Sequence, residues 1–458
     1  MALSDDETEV VNRLSLKLRR AQGDLLRLDA YYEGIWRLEQ LGLAVPPELR
    51  RFVTIVNWPR TVADTIAARC TLQGFRMPGA SDVDAELSRI WQANDLDEES
   101  KLGRLDKLVL GRSAICVGSN EDDEDTPLVT VESPEEITWE LDPRTRKVLN
   151  ALRRYRDIEG REFATLYRQG GTVWLKRSGR GRSGWVEDED GTVGRDEHAL
   201  GVVPVVPLVN RPRLRNRDGV SELVDVITLT DAAARALTNA QVATEVLATP
   251  QRWAAGMMLK DFVDADGNPL TAWETYFGAV WATENPEAKF GQFPAADLAN
   301  FETMVDMYAR HVAGSSGLPL RFFGQNTANP PAEGAIVADE TRLIKTCEDK
   351  NLAESGSWEL TQRIVMRLKT GDWDPELKNL ETVWANPATP TRAQSADAML
   401  KLTQGDNPVL PIEAAWEELG YSPVRRAQLR QMFREQRELG SLESLFPPLA
   451  DAVEPPAP

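Results

Sequence analysis

The stretch from residue 218 to 334 constrains the fold most, because it holds two long helical patterns around a short aromatic insert, followed by a polar loop. From 221 to 249, apolar residues recur mostly every three or four positions without Pro or Gly, which predicts a helix that ends at Pro250. Such a helix would be roughly 45 Å long. A second helix is predicted from 295 to 313, with Gly314 as its stop.

The second predicted helix carries a narrow apolar stripe. Its members are spaced alternately three and four residues apart and are Leu298, Phe301, Val305, Tyr308 and Val312. A stripe of this width suits packing against one neighbouring helix, so we predict an antiparallel helix pair. An ordinary helix pair inside any globular protein would show the same pattern, and the pair alone leaves the function open.

The chain is acidic and long enough for several domains. Its 458 residues predict two to four domains, since single domains usually run to about 100–200 residues. It has 53 Lys and Arg against 72 Asp and Glu, a formal charge of -19. This balance argues against tight wrapping of nucleic acid, which needs concentrated positive charge, but it allows DNA to slide past a repulsive wall.

Signatures of enzymes, metal sites and membrane spans are missing from the sequence. There is no G-x-x-x-x-G-K-[ST] and no G-x-S-x-G, and His198 and His311 are the only histidines. Cys70, Cys116 and Cys347 form no CxxC pair. No apolar run approaches the ~20 residues that cross a bilayer. We therefore expect a soluble, cytoplasmic protein that is not an enzyme and needs no cofactor or metal.

The first 215 residues are predicted to be helical and then rich in strands. Ser4 and Glu7 have the spacing of a capping box and open a helix that is expected to reach about residue 41. Further helices are predicted at 81 to 96 and 98 to 112, with Leu102 among their core residues. Short strands follow, at 113 to 118, 127 to 132, 136 to 141, 147 to 155, 163 to 168 and 172 to 177.

Two charged runs and one aromatic insert suggest sites, but each has a simpler interpretation. The acidic run 121 to 125 and the basic run 176 to 182 are predicted to be exposed connections. The turn at Asp264-x-Asp266 lacks the full calcium-loop spacing and is predicted to be a hairpin turn. The insert 250 to 293 is dense in aromatic residues, which fits either an apolar docking surface or a small hydrophobic core of its own.

The C-terminal part is predicted to be helical and to end in a disordered tail. A helix is expected from about 335 to 368, with Gly356 as a point of interruption. Shorter helices are predicted at 391 to 402, 411 to 419 and 425 to 436. The Pro- and Ala-rich end, 437 to 458, is predicted to be disordered.

Several short motifs, in order along residues 25 to 435, resemble the portal proteins of tailed bacteriophages, and those of siphoviruses most closely. No motif is specific by itself, but their order and separation are. They are Tyr31-Tyr32-x-Gly34, Val56-Asn57-Trp58, Val62-Ala63-Asp64, Gly74-Phe75-Arg76, Asp231 with Asn239, Gly314-x-x-Gly317-Leu318-Pro319, Glu333-Gly334-Ala335, Asp372-Trp373-Asp374-Pro375, Ala396-Asp397-Ala398 with Lys401-Leu402, and Glu418-x-Gly420.

The resemblance implies an α+β, mainly helical fold of portal type, assembled as a ring of usually twelve subunits at one capsid vertex. Its parts map onto the chain as a wing (1–215), a first stem helix (216–249), a clip (250–293), a second stem helix (294–316), a tunnel loop (317–334), a long wing helix (335–374), a crown (375–436) and a tail (437–458).

The resemblance also implies partners and site residues. Duplex DNA would pass through the ring without sequence readout, while the terminase motor and later the head–tail adaptor dock on the clip, and major capsid and scaffold proteins surround the ring. The predicted DNA-facing residues are Arg321, Gln325, Asn326, Thr327 and Asn329. The predicted docking residues are Trp253, Phe262, Trp273 and Tyr276. A channel lined largely by acids would repel phosphate and let DNA move smoothly.

Two other classes of function stay open on sequence alone. Another phage head or connector protein is one, although connectors are usually much shorter than 458 residues. The other is a metal-dependent nuclease that works through carboxylates. The two histidines of the chain argue against it, because they provide few metal ligands.

Overall fold

The computed structural model describes most of the chain. The described residues are 3–36, 54–80, 82–120, 122–123, 125–178, 184–188, 194–247, 252–256, 285–292, 298–324, 333–388, 392–404, 408–421 and 423–445. Helices dominate and most of the strands lie between residues 112 and 209, which confirms the α+β, mainly helical class. Within the described residues, no helix is both long and apolar enough to cross a membrane.

The first helix, α1, spans Asp5–Glu33 and is shorter than the sequence predicted. Its start is the predicted capping box, in which the Ser4 hydroxyl accepts from the Glu7 N–H and the Glu7 carboxylate accepts from the Ser4 N–H. Its end is Gly34, which adopts a left-handed conformation (φ 70°) and caps the last turn. The predicted stretch 37 to 41 lies outside the described residues.

Three further helices precede the strands: α2 (Trp58–Arg69), α3 (Ala85–Ala93) and α4 (Leu96–Leu110). The last two confirm the predicted pair of helices: α3 is shorter than predicted at both ends, and α4 lies two residues earlier than predicted. The prediction that Leu102 is a core residue is wrong, because its side chain is 59% exposed. Leu108, two turns later on the buried face, is 1% exposed.

The strands form two main sheets. All six predicted strands are present: β2 (Arg112–Gly118), β3 (Leu128–Glu132), β4 (Ile137–Leu141), β5 (Val148–Arg156), β6 (Glu162–Arg168) and β7 (Gly171–Arg177). Three were not predicted: β8 (Trp185–Glu187), β9 (Arg195–Glu197) and β10 (Val205–Val209). One sheet has the order β10-β2-β3; in the other, β4 to β7 follow in sequence, and β8 and β9 both pair with β7.

The larger sheet uses α1 to bury its apolar face. Val10, Val11 and Leu14 of the helix pack on alternate residues of β5, β6 and β7, and this cluster is almost fully buried. The apolar side of α1, which repeats every 3.6 residues, therefore packs on the apolar face of the sheet, which repeats every two residues.

The predicted pair of long helices is present as α5 (Val224–Leu247) and α6 (Ala299–Ser316), which pack together. Between them, β11 (Arg252–Ala255) pairs antiparallel with β12 (Lys289–Gln292). We call these four elements the two-helix unit. Gly314 does not stop α6, contrary to the prediction, because a glycine is tolerated inside a helix that packing supports. Gly317, in the left-handed region (φ 74°), caps it instead.

After α6, a 3-10 turn (Leu320–Phe323) leads to α7 (Glu333–Thr370), which runs through Gly356 without interruption. A short strand, β13 (Glu381–Trp384), pairs antiparallel with β1 (Leu72–Arg76), so two segments that are far apart in the sequence meet in one ribbon. Neither strand was predicted.

Three helices close the described chain: α8 (Arg392–Thr403), α9 (Ile412–Glu418) and α10 (Pro423–Leu445). All three were predicted, but α10 continues past 436, so the prediction of disorder from 437 is wrong up to 445. The three-residue spacing of Leu439, Leu442 and Leu445 extends the helical pattern. The rest of the predicted tail lies outside the described residues.

Candidate functional site

The inner end of the two-helix unit is embedded in a core formed by several helices. Val226 and Ala233 of α5 and Ala309 and Val312 of α6 are at most 1% exposed. They share a cluster with side chains of α2, α4 and α7. The face of α5 consists mainly of small residues, which lets α6 approach closely.

The outer end of the same unit exposes apolar side chains. Leu298, Met304 and Met307 of α6 are 36%, 41% and 42% exposed. Burial therefore varies along the predicted stripe: Val305 and Tyr308 are partly buried, and only Val312 is fully buried. Burial of α6 increases toward its C-terminal end.

The β11–β12 ribbon holds the one predicted docking residue that the structure describes. Trp253 is 40% exposed and lies opposite Gly291. A Cβ atom at Gly291 would come within 2.5 Å of the indole ring, so the indole needs a glycine there. Phe262, Trp273 and Tyr276 lie outside the described residues. Phe290, 47% exposed beside this pair, was not singled out from the sequence, and alternation along the strand would have indicated it.

Arg321 is the one predicted DNA-facing residue within the described part of the chain. Its guanidinium lies in the 3-10 turn and pairs with Asp339 (3.1 Å) and, more closely, with Glu340 at the start of α7. Glu340 also pairs with Arg69 of α2 at 2.9 Å. Two cations and two carboxylates thus neutralise one another, and Arg321 is 28% exposed. Gln325, Asn326, Thr327 and Asn329 lie outside the described residues.

The turn that contains Arg321 is held on both sides. Phe323 packs edge-on against Trp58 of α2, with ring centroids 6.2 Å apart. Arg342 of α7 donates to the carbonyl of Gly314 at 2.9 Å and covers Gly317, where a Cβ atom would come within 2.7 Å of its Nε. The segment 314 to 324 is therefore fixed to α2 and α7, and the loop that follows it starts from a rigid position.

Residues of three separate sequence motifs meet beside α5. The Tyr31 hydroxyl donates to Asp231 at 2.8 Å, and the Asn57 side chain donates to the carbonyl of Tyr32 at 2.9 Å. The Tyr32 hydroxyl donates to Asp64 at 2.8 Å. Burial and the Asp64 carboxylate raise the pKa of Tyr32 to about 12, so this hydroxyl stays a donor at neutral pH. These contacts connect α1, α2 and α5.

A buried ion cluster joins α4 to α7. Glu354 accepts from Lys107 at 2.7 Å, from Arg104 at 3.0 Å and from the Trp358 indole at 2.9 Å. Burial alone would raise the pKa of Glu354, but Lys107 and Arg104 outweigh it and hold that pKa at about 2. The carboxylate is therefore ionised at neutral pH even though its side chain is 1% exposed.

No metal centre is apparent where the chain is described. No group of three or more His, Cys, Asp and Glu within the described residues is arranged to hold a metal ion. The acidic run 121 to 125 is described only in part; its Asp123 and Asp125 lie in a turn after β2. The turn at Asp264-x-Asp266 lies outside the described residues.

A family model described as "Phage portal protein, SPP1 Gp6-like" matches residues 19–439, nearly the whole chain. The chain therefore belongs to the phage portal proteins, which are structural proteins of the virion. The resemblance to portal proteins of tailed bacteriophages is confirmed.

Two relatives place the chain more closely. It is 37% identical to the portal protein of Mycobacterium phage L5 over 447 residues, which covers 95% of this chain and 90% of that protein. It is 38% identical to the portal protein of Mycobacterium phage D29 over 422 residues, covering 90% of this chain and 85% of that protein.

Solved structures give only distant likenesses. The neck of a native GTA particle computed with C12 symmetry contains a chain with a TM-score of 0.44 and 13% identity, covering 79% of this chain and 88% of that one. The neck of an empty GTA particle computed with C6 symmetry gives a TM-score of 0.45 and 13% identity, covering 83% of this chain and 95% of that one.

Proposed function

We propose that this protein assembles into a ring, usually of twelve subunits, at one vertex of the phage capsid, and that duplex DNA enters and leaves through the ring. Membership of the portal family across residues 19–439 is the observation that carries the proposal. The exposed apolar residues at the outer end of the two-helix unit support it, because an apolar face of this kind suits burial against a neighbouring subunit.

The two-helix unit is proposed as the stem that lines the channel, with residues 1–215 and α7 as the wing and 375–436 as the crown. The rigid inner end of the unit supports this role, since a channel wall must keep its diameter while DNA moves past it. The chain has a formal charge of -19, so it does not attract the DNA phosphates strongly at any one position.

The segment 317–334 is proposed as the tunnel loop, with Arg321, Gln325, Asn326, Thr327 and Asn329 facing DNA. The fixed position of the 3-10 turn supports a loop that projects from a rigid support. Arg321 is paired with Asp339 and Glu340, so its positive charge is largely neutralised. We therefore propose that it makes a weak, exchangeable contact with DNA phosphate and does not form a strongly positive ring in the channel.

The β11–β12 region is proposed as the clip, where the terminase motor docks first and the head–tail adaptor later. The exposed rings of Trp253 and Phe290 support this role, since exposed aromatic residues are common in protein interfaces. Capsid and scaffold proteins are the proposed neighbours of the wing. The ring is proposed to assemble in the host cytoplasm, without a membrane, cofactor or metal.

The alternatives are another head or connector protein and, with less support, a metal-dependent nuclease. The family is structural, and we propose that this member has no enzymatic activity. Cleavage of duplex DNA by the purified protein with Mg²⁺ or Mn²⁺, lost on chelation, would favour the nuclease.

Negative-stain imaging together with mass photometry of the purified chain tests the proposal. Closed rings of about a dozen subunits with a central hole are expected. Met304→Glu and Met307→Glu should weaken ring formation, because they place charge in the proposed interface. The matched change Lys345→Glu, at a side chain that is 69% exposed on α7, should have less effect. A compact monomer under all conditions would contradict the ring.

A further inference from the structure

Two of the three cysteines face each other where α2 meets α7. Cys70 follows the last residue of α2, and Cys347 lies in α7, 277 positions later in the sequence. Both belong to the core that holds the inner end of the two-helix unit, and they are 2% and 0% exposed. The Cys70 sulfur lies 3.9 Å from the carbonyl oxygen of Cys347, and the two thiols hydrogen-bond to each other. Both are free thiols in the structure.

The two thiols differ in acidity. The hydrogen bond from the Cys347 thiol is the main reason why the pKa of Cys70 is lowered. Burial and the Glu354 carboxylate oppose this shift, whereas the charges of Arg104 and Lys107 add to it. Arg104 also donates to the Cys70 carbonyl at 2.5 Å, which holds its charge beside this thiol. The same hydrogen bond and burial raise the pKa of Cys347. Cys70 is therefore the thiol that more readily becomes the nucleophilic thiolate.

Cys116 provides an internal comparison within the same chain. It is buried to a similar degree, at 4% exposed, but it lies on β2 in a different core cluster from the other two cysteines. Burial raises its pKa, and the Glu132 carboxylate raises it further. Cys116 thus has neither a second thiol beside it nor a lowered pKa, and we expect it to remain a thiol.

We propose that Cys70 and Cys347 form a disulfide when the protein meets a peroxide, and that this bond connects α2 covalently to α7. A disulfide needs sulfur atoms about 2.05 Å apart and side chains that point toward each other. The contact between the two thiols meets the second requirement and leaves only a short approach. Because both sulfurs are buried, peroxide reaches them during local opening of the core, and the reaction should be slow.

The chemistry uses one peroxide for two thiols. The Cys70 thiolate attacks a peroxide oxygen, so that an S–O bond forms, the O–O bond breaks and hydroxide leaves. Sulfur is oxidised by two electrons and the peroxide is reduced. The Cys347 sulfur then attacks the sulfur of the Cys70 sulfenic acid, which forms the S–S bond and breaks the S–O bond. The second hydroxide takes the thiol proton of Cys347 and leaves as water.

The bond would strengthen the contact that supports the segment 314 to 324. Arg69, next to Cys70, already pairs with Glu340, which lies about two helical turns before Cys347 on α7. Cytosol keeps thiols reduced, whereas the space outside cells is oxidising. A portal that leaves its host inside a virion would gain the bond after release. This timing rests on the proposed function, but the formation of the disulfide in a single chain does not.

Counting free thiols in the purified full-length protein tests the proposal. The folded protein is exposed to hydrogen peroxide, then unfolded and labelled with a polyethylene glycol maleimide. The count is expected to fall from three to one, and dithiothreitol should restore it. The intact mass should decrease by that of two hydrogen atoms. The melting temperature should rise by about 2–5 °C, because the bond closes a long loop.

Three variants identify the sulfurs that react. Cys116→Ala is the matched control and should keep both the loss of two thiols and the rise in melting temperature. Cys347→Ala should stop at a Cys70 sulfenic acid, which dimedone traps, without that rise. Cys70→Ala should keep its two remaining thiols. Alanine preserves a small apolar side chain at each buried position, and circular dichroism checks that every variant is folded.

Three results would overturn the proposal. The first is that the folded wild-type protein keeps all three thiols in peroxide. The second is that Cys116 is lost as fast as Cys70, which would mean that unfolding alone exposes the thiols. The third is that non-reducing electrophoresis shows linked pairs of chains, because the bond would then join two copies. A protein that stays monomeric would contradict the proposed ring and would leave the expected thiol count unchanged.

Discussion

The body of the protein and the outer end of its two-helix unit differ in which side chains they bury and which they expose. In the body (α1 to α4, the sheets and α7), even charged groups such as Arg104, Lys107 and Glu354 are buried and paired within the chain. At the outer end (β11, β12 and residues 298–307), large apolar groups such as Phe290 and Met307 are 47% and 42% exposed. The body pairs these buried charges within one chain, and the outer end exposes apolar groups that suit contact with another surface.

Single exposed apolar residues are normal on a folded protein, so their grouping is the informative feature. Trp253, Phe290, Leu298, Met304 and Met307 all lie between residues 253 and 307, and a second group of exposed apolar residues lies between 400 and 433, in and around α8 to α10. This grouping suggests that the body folds as a unit and the outer end becomes fully buried only in an assembly. Four changes test or sharpen that contrast.

The largest effect is expected from Glu354→Gln in the body. The change leaves Arg104 and Lys107 buried without their shared carboxylate, and breaking a buried pair of this kind costs about 3–5 kcal/mol. Urea unfolding followed by circular dichroism measures the loss. Glu348→Gln on the exposed face of α7 is the control, with an expected loss of at most about 0.5 kcal/mol. Equal losses in both variants would show that the burial of this cluster contributes nothing.

The most direct test compares the two ends of α6. Val312→Ala at the buried end should cost about 2 kcal/mol, from lost methyl groups and the cavity left behind. Met307→Ala at the outer end should cost at most about 0.5 kcal/mol in the dissociated chain. It should, however, weaken assembly measured by mass photometry. If Met307→Ala destabilised the single chain as much as Val312→Ala, the contrast between the two ends would be wrong.

A smaller, pH-dependent effect is expected where α1 meets β9. The hydrogen bond from Arg195, at 2.7 Å, is the main reason why the pKa of Glu7 is lowered from 4.5 to about 2. A carboxyl whose pKa is lower in the folded state adds stability above pH 4.5 and loses it as the pH falls toward 2. After allowance for solvent screening, the contribution is about 1 kcal/mol.

Melting temperature measured between pH 6 and pH 3 checks this contribution. Glu7→Gln should flatten the decline below pH 4.5, whereas Glu9→Gln, whose side chain is 78% exposed on the same helix, should follow the wild type. A decline of the same steepness in Glu7→Gln would remove Glu7 as its source.

The smallest effect on stability is expected from Arg321→Gln. Its ion pairs with Asp339 and Glu340 are partly exposed, and Arg69 remains to pair with Glu340, so the loss should be at most about 1 kcal/mol. Ring assembly should survive, while the length or retention of packaged DNA should change. Lys345→Gln, an exposed cation of α7, is the control. Unchanged packaging in both variants would take Arg321 out of the proposed DNA-facing set.

Local patterns in the sequence predicted most of the elements. The capping box at Ser4, the strand alternation from 113 to 177 and the long helices α5, α6 and α7 were all found, because each depends on neighbours within a few residues. The predictions failed where packing overrides propensity. Gly314 and Gly356 stay helical because surrounding elements support α6 and α7, whereas Gly317 ends α6 with its left-handed backbone.

The candidate site could be predicted only in part. The sequence indicated which segments matter, since the motifs with Tyr31, Asn57 and Asp231 meet in space. It could not show that Arg321 is paired with Asp339 and Glu340 or that Glu354 lies between two cations, because helical and strand periods carry no information about contacts between different elements. The pairing of β1 (72–76) with β13 (381–384) was not predicted, for the same reason.

By itself, then, the sequence determined the order of helices and strands, the acidic charge and the family to which the chain belongs, all of which depend on residue identity and local spacing. The tertiary structure decided which charges are buried together and which end of α6 is covered. These features arise when elements distant in sequence pack and exclude water, and the free energy of a charge or an apolar group depends on that exclusion.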